Sequence, residues 1–267
     1  MRKSLLASIA FASFITGPAI AADMAVKAPL IAAAPSFNWS RCYGGLHAGY
    51  GWGRNTNDFG NAIASGPTEA FEAFPAEFGP FHHNTSGGVF GGQLGCNHQW
   101  APNWLVGVEG ELWWSGIRGG STAPEDFNDP GRFSRFESRN RWDADLAVRL
   151  GFVAGSNLFY AKGGAAVGNF QYIETHDDFP STHACPGGNE CSVSLNQTKV
   201  GWLVGLGWET VIPGALPLNH WTFKAEWNYI DYGTRNIAYP SLGAGLQSFP
   251  VKDTKHIVKV GLNYYFP

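Results

Sequence analysis

The stretch HIVKVGLNYYF, residues 256–266, alternates without a break. Val258, Val260, Leu262, Tyr264 and Phe266 are apolar at every second position, and Lys259, Gly261, Asn263 and Tyr265 lie between them. Side chains of a strand point to opposite faces with period 2. One face of this segment is therefore wholly apolar, and the other is small, polar or charged. Such a strand needs a cover for its apolar face, which is either a protein core or lipid.

Seven more segments read the same way: 42–52, 87–100, 104–114, 141–153, 158–172, 199–212 and 220–232. In 104–114, Trp104, Val106, Val108, Leu112 and Trp114 share a face opposite Glu109 and Glu111. In 141–153, Trp142, Ala144, Leu146, Val148, Leu150 and Phe152 oppose Asp143, Asp145 and Arg149. Val200, Trp202, Val204, Leu206 and Trp208 oppose Glu209 in the sixth segment, and Trp221, Phe223, Ala225, Trp227 and Tyr229 oppose Lys224 and Glu226 in the seventh. Tilted strands of about 9–11 residues cross a bilayer.

The connections alternate in length. Residues 101–103, 154–157 and 213–219 are short links, whereas 53–86, 115–140, 173–198 and 233–255 are long. This layout predicts an all-β fold, an eight-stranded antiparallel transmembrane β-barrel with short periplasmic turns and four long extracellular loops. The apolar face meets lipid, the polar face lines the interior, and closure leaves no unpaired backbone edge in the hydrocarbon.

The composition agrees. The 267 residues include 35 Gly and 11 Trp, and only 15% are charged, against about 25% in ordinary soluble domains. The opening MRKSLLASIAFASFITGPAIAA joins two cations, an apolar run and small residues, the pattern of a cleaved secretory signal peptide. Residues 1–22 are assigned to it, 23–38 to a flexible Ala- and Pro-rich periplasmic lead-in, and 39–267 to the barrel. Without Arg2 and Lys3 the chain holds 16 cations and 21 anions, and no basic domain points to nucleic acid. The expected location is the cell outer membrane.

The stretches FNWSRCYGGLHAGYGWG (37–53), GGVFGGQLGCNHQW (87–100) and VGLNYYF (260–266) resemble the alphaproteobacterial outer-membrane β-barrel family, which includes the major outer-membrane antigens of Brucella and porin-like proteins of rhizobia. The likeness runs over nearly the whole chain. It implies an eight-stranded barrel with a role in envelope integrity and host or cell-surface contact through the loops, assembled by the barrel-assembly machinery. The terminal residues Val260, Leu262, Tyr264 and Phe266 are the expected assembly signal, although the family ends on Phe and this chain adds Pro267. Cys42 and Cys96 stand where the family carries aromatics. Both lie on the apolar phase near the periplasmic ends of adjacent antiparallel strands, a geometry for a cross-strand disulfide. CPGGNEC suggests a second, local disulfide between Cys185 and Cys191.

The predicted interior charge network comprises Glu109, Glu111, Asp143, Asp145, Glu209 and Glu226 with Arg149, Lys162, Lys224 and Lys259, and His47 nearby. Buried charges must be paired or hydrated, so these residues form either a structural salt-bridge plug or a narrow cation-preferring path. The first reading makes the protein a structural, surface-exposed barrel; the alternative is a small porin passing ions or very small solutes. Asp143 and Asp145 have the spacing of paired acids, but an i, i+2 pair inside a barrel reads as salt bridging, and no nucleophile–base arrangement points to an enzyme. No cofactor or metal is expected. In the second long link, Arg132, Arg135, Arg139 and Arg141 match phosphate geometry and are candidate contacts for lipopolysaccharide.

Overall fold

The structure is a computed structural model that describes residues 37–58, 63–65, 81–124, 133–177, 190–214, 220–241 and 245–267. The signal segment 1–22, the lead-in up to residue 36, Arg132, Cys185 and the side chain of Cys191 lie outside the described residues.

Among the described residues ten strands run in chain order: β1 (Cys42–Asn57), β2 (Ile63–Ser65), β3 (Phe81–Ala101), β4 (Trp104–Ser115), β5 (Arg118–Pro124), β6 (Phe133–Ala154), β7 (Asn157–Asp177), β8 (Glu190–Val211), β9 (Trp221–Ser241) and β10 (Gly245–Tyr265). All pairings are antiparallel. The terminal pair β1–β10 runs in register from Tyr43↔Tyr265 to Asn57↔Val251 and closes the ring. β4 and β5 both lie between β3 and β6 and continue one another, so the ring has eight staves. β2 adds three residues at the upper end of β10.

The outward face carries Leu46, Leu94, Val108, Leu112, Leu146, Val148, Leu206 and Leu262, all exposed. Two aromatic girdles border this band. The periplasmic one includes Trp104 against Phe152 (ring centroids 5.4 Å) and Trp208 against Phe223 (6.0 Å). The extracellular one includes Trp114, Trp142, Trp52 and the Trp202–Tyr229 pair (5.5 Å). Amphipathic aromatics favour the membrane–water boundary. The Cys42–Cys96 disulfide joins directly opposed residues of β1 and β3 at the periplasmic end.

Two expectations are corrected. The long links are largely strand. Residues 81–86, 118–124, 133–140, 173–177, 190–198, 233–241 and 245–255 continue the ladders outward, so the fourth link shrinks to 242–244 between β9 and β10. Outside the bilayer a strand needs no apolar face, yet its backbone hydrogen bonds persist, so alternation fades before pairing does. A 22-residue strand such as β6 rises about 55 Å at the usual pitch and tilt, about twice the height of an apolar band. The second correction concerns the end of the lead-in. Phe37 lies edge-on to Trp39 and Tyr265 (4.7 and 5.0 Å), and Trp39 is fully buried, capping the periplasmic mouth.

A register shift between Asn140 and Trp142 opposite β7 makes Arg141 an extra residue. Phe136, Ser138 and Asn140 point inward above it, and Asp143 and Asp145 point inward below it. The bulge changes the parity of the strand. Arg135, Arg139 and Arg141 consequently face outward with Trp142, above the lipid-facing Leu146 and Val148.

Candidate functional site: the barrel interior

All eleven residues of the predicted interior network are buried. The structure brings eight of them into one connected cluster. Glu109 on β4 accepts from Arg149 Nη1 (3.1 Å), Lys162 Nζ (3.2 Å) and Lys224 Nζ (3.2 Å). Glu111, two residues on, accepts from Lys162 (2.9 Å), Lys224 (2.8 Å) and Lys259. Glu226 on β9 meets Lys162 (2.8 Å), Lys224 (3.4 Å) and Lys259 (3.2 Å). Glu209 on β8 accepts from Arg149 Nη2 (2.9 Å). Four carboxylates thus face four cations, and every one of these side chains is excluded from solvent.

Tyrosines and amides use the remaining lone pairs. Tyr43 donates to Glu109 (2.6 Å), Tyr160 to Glu226 (2.7 Å), Tyr265 to Glu209 (3.0 Å) and Asn263 to Glu209 (2.8 Å). The Arg149 guanidinium lies 4.0 Å from the centroid of the Tyr160 ring. Inward glycines make room for these large groups: an added Cβ at Gly95 would overlap the Tyr43 ring, and one at Gly207 the Tyr160 ring. Pairing of this kind is what buried charge requires, and within it Arg149 Nε alone of the guanidinium nitrogens has no partner.

Glu109, Glu111 and Glu226 offer oxygens within 4.8 Å of one another, a spacing suited to a divalent cation. Lys162, Lys224 and Lys259 occupy that role instead. His47 lies at the edge, paired with Gln93 (2.5 Å) and edge-on to Trp113. Asp145 is buried near the cluster, but neither of its carboxylate oxygens has a hydrogen-bond partner.

Asp143 belongs to a second, higher layer. It accepts from Tyr232 (2.6 Å) and Asn140 (3.2 Å) and pairs with Lys255. Beside it, Asp253 pairs with Lys199 (2.6 Å) and accepts from Asn55 (2.7 Å). Lys255 sits 4.9 Å from the Tyr232 ring centroid, and Lys199 lies 5.1 Å from that of Tyr172. Lys199, Lys255 and Asp253 were absent from the predicted network. Lys199 and Lys255 lie on the inward parity, at the level where the outward positions turn polar. A cavity of about 20 Å³ bounded by Thr85, Ser138, Asn140, Asp253 and Lys255 is the space left at this level.

The interior is therefore layered. Trp39, Tyr43, Leu105, Leu158, Tyr160 and Tyr265 close the periplasmic end, the ionic cluster fills the middle, and Trp113, Phe170, Tyr232 and Ile257 pack above it. The six-to-four excess of acids expected for a cation path is not the balance of the central cluster, where the charges cancel.

Of the candidate lipopolysaccharide contacts, Arg135, Arg139 and Arg141 are exposed on the β6 extension rather than in a loop. Arg135 (3.0 Å) and Arg139 (2.9 Å) share Glu137. The terminal residues Val260, Leu262 and Phe266 are exposed on the lipid-facing side of β10, and Tyr264 packs against Trp221 (5.2 Å).

Residues 19–266 match the outer membrane protein beta-barrel domain family. The chain is 32% identical over 272 residues to the 31 kDa outer-membrane immunogenic protein of Brucella melitensis, covering 100% of both chains. It is 26% identical over 191 residues to the 22 kDa outer membrane protein of Rhizobium leguminosarum bv. viciae, covering 71% of each. Among solved structures, OprG from Pseudomonas aeruginosa aligns with a TM-score of 0.43 and 14% identity, over 86% of this chain and 98% of that one.

Proposed function

Because the chain belongs to the outer membrane protein beta-barrel domain family, we propose that it serves the outer membrane as a closed structural barrel presenting an extracellular stem, and not as a conducting pore. The observation that carries this reading is the central cluster, whose four carboxylates and four cations are all buried and mutually paired across β4, β6, β7, β8, β9 and β10. An eight-stranded barrel is only wide enough for its side chains to fill. Moving an ion through would require breaking several buried pairs at once, at several kcal/mol each. The outward column of β10 supports a role for Val260, Leu262, Tyr264 and Phe266 in recognition by the assembly machinery, and the stem supports contact with host or neighbouring cell surfaces.

The test is conductance of the refolded protein in a planar bilayer, with folding verified by heat-modifiable gel mobility. A silent bilayer is the expected outcome. Discrete, reproducible steps that survive repurification would overturn the closed reading in favour of a small porin.

A further inference from the structure

Arg118 on β5 stands directly opposite Arg139 on β6, and both side chains are exposed on the outward face. Like charges facing each other across a ladder repel. Arg139 has Glu137 beside it, but Glu137 is already shared with Arg135. Among the described residues, Arg118 and Arg141 have no carboxylate partner. Among the described residues, Glu137 is thus the one acid amid four arginines on two adjacent staves, and it pairs with two of them.

The patch has a definite height. Arg141 adjoins Trp142, and Arg118 follows Trp114 by four residues on the same outward parity, about 10 Å up a tilted strand. Trp114 and Trp142 are themselves directly paired in the extracellular girdle. The girdle marks where hydrocarbon gives way to headgroups, so the guanidinium groups stand in the headgroup layer of the outer leaflet. Toward β7 and β8 the patch ends, since the outward residues at the same level there are Asn169, Gln171, Asn196 and Thr198, all uncharged. The Arg141 bulge places the β6 arginines outward above the apolar column.

From the opposed arginines, the shortage of acids and the girdle directly below, we infer that Arg118, Arg139 and Arg141 form a docking site for the phosphate groups of an outer-leaflet lipid whose acyl chains lie along β4 and β6. Guanidinium binds phosphate through paired, charge-assisted hydrogen bonds, and a phosphate between Arg118 and Arg139 turns their repulsion into attraction. Arg135 lies further up the stem and is spared by Glu137. This inference rests on the membrane placement of the barrel but not on its closed interior, so a conducting barrel would leave it standing.

The experiment compares wild type with Arg118→Gln and with the triple variant Arg118→Gln/Arg139→Gln/Arg141→Gln. Each is refolded into phosphatidylcholine vesicles alone, or with bisphosphorylated or dephosphorylated lipid A. The readouts are lipid A retained per barrel and the temperature of the heat-modifiable mobility shift. Wild type is expected to retain the bisphosphorylated form, and the triple variant about tenfold less, as expected for losing two or three such hydrogen bonds. The stability readout should reverse sign. Without lipid A, Arg118→Gln unfolds at a higher temperature than wild type because the repulsion is gone; with bisphosphorylated lipid A it unfolds at a lower one. Equal retention by the variants, or equal retention of dephosphorylated lipid A by wild type, would overturn the site. Competition by millimolar inorganic phosphate as effective as lipid A would overturn its assignment to lipid.

Discussion

Arg149 on β6 reaches past β7 to Glu209 on β8, with its Nη2 at 2.9 Å from the carboxylate and both side chains fully buried. The same guanidinium holds Glu109 through its other terminal nitrogen at 3.1 Å, so one residue ties three staves together through the lumen. Replacing it by Met leaves Glu209 without a cation. Loss of one partner from a buried pair costs about 3–5 kcal/mol. We expect Arg149→Met to lower the urea midpoint of the refolded barrel accordingly. Arg149→Met/Glu209→Gln should recover part of that loss, and strictly additive effects would show that the two residues are uncoupled.

The Cys42–Cys96 disulfide joins residues separated by 54 positions, although the ladder already pairs them. Cys42→Ser/Cys96→Ser should keep the folded, heat-modifiable form and lose about 2–4 kcal/mol of stability. Urea titration with and without reductant checks this: reductant should lower the wild-type midpoint and leave the variant unchanged.

Deleting Arg141 removes the bulge and shifts the parity on one side of it. Either Arg135 and Arg139 then turn into the lumen, or Asp143 and Asp145 turn toward lipid. Carboxylates on the lipid face are destabilising, and the interior pairs are lost as well. The deletion is expected to abolish the heat-modifiable form, whereas Arg141→Ala, which keeps the residue count, should retain it.

His83 lies on the extracellular extension of β3, seven residues above Phe90, where its Nε2 contacts Ser138 Oγ at 2.7 Å. Burial holds its pKa below the ordinary imidazole value. As pH falls through about 6.5, the unfolded chain takes up a proton before the folded one does. Stability of the stem is therefore full above that pH and declines below it. Limited proteolysis of the stem should accelerate from pH 7.5 to pH 5, and His83→Gln should flatten that difference.

The sorting of residues between lipid and lumen was legible because the bilayer imposes an apolar face on every crossing. Parity groups Glu109, Arg149 and Lys259 on the face opposite the apolar one, and the signal segment, the alternating link lengths and the terminal strand make that face the interior. The upper layer was harder to see. Lys199, Lys255 and Asp253 lie where the outward positions already turn polar, as at Thr254 and Thr198, so alternation no longer separates the faces. Partners were also out of reach: nothing local to Lys162 says that it meets Glu226 from two staves away. The bulge at Arg141 was not visible either, because a single added residue changes parity without changing composition. Arg118 carries no signal of its own in the sequence, because its significance comes from Arg139, which lies opposite it only once β5 and β6 are paired.

The distribution of the central charges along the chain bears on how the ring forms. The strands up to β9 contribute Glu109, Glu111, Glu209 and Glu226 against Arg149, Lys162 and Lys224, one cation short. The missing charge is Lys259 on β10, which lies opposite Glu226 on one side and Gly49 of β1 on the other. An open sheet lacking its last strand therefore carries an uncompensated carboxylate that favours water over lipid. Docking of the last strand on β9 and neutralisation of the central charges are therefore a single event, and a sheet that stops at β9 is disfavoured in the bilayer.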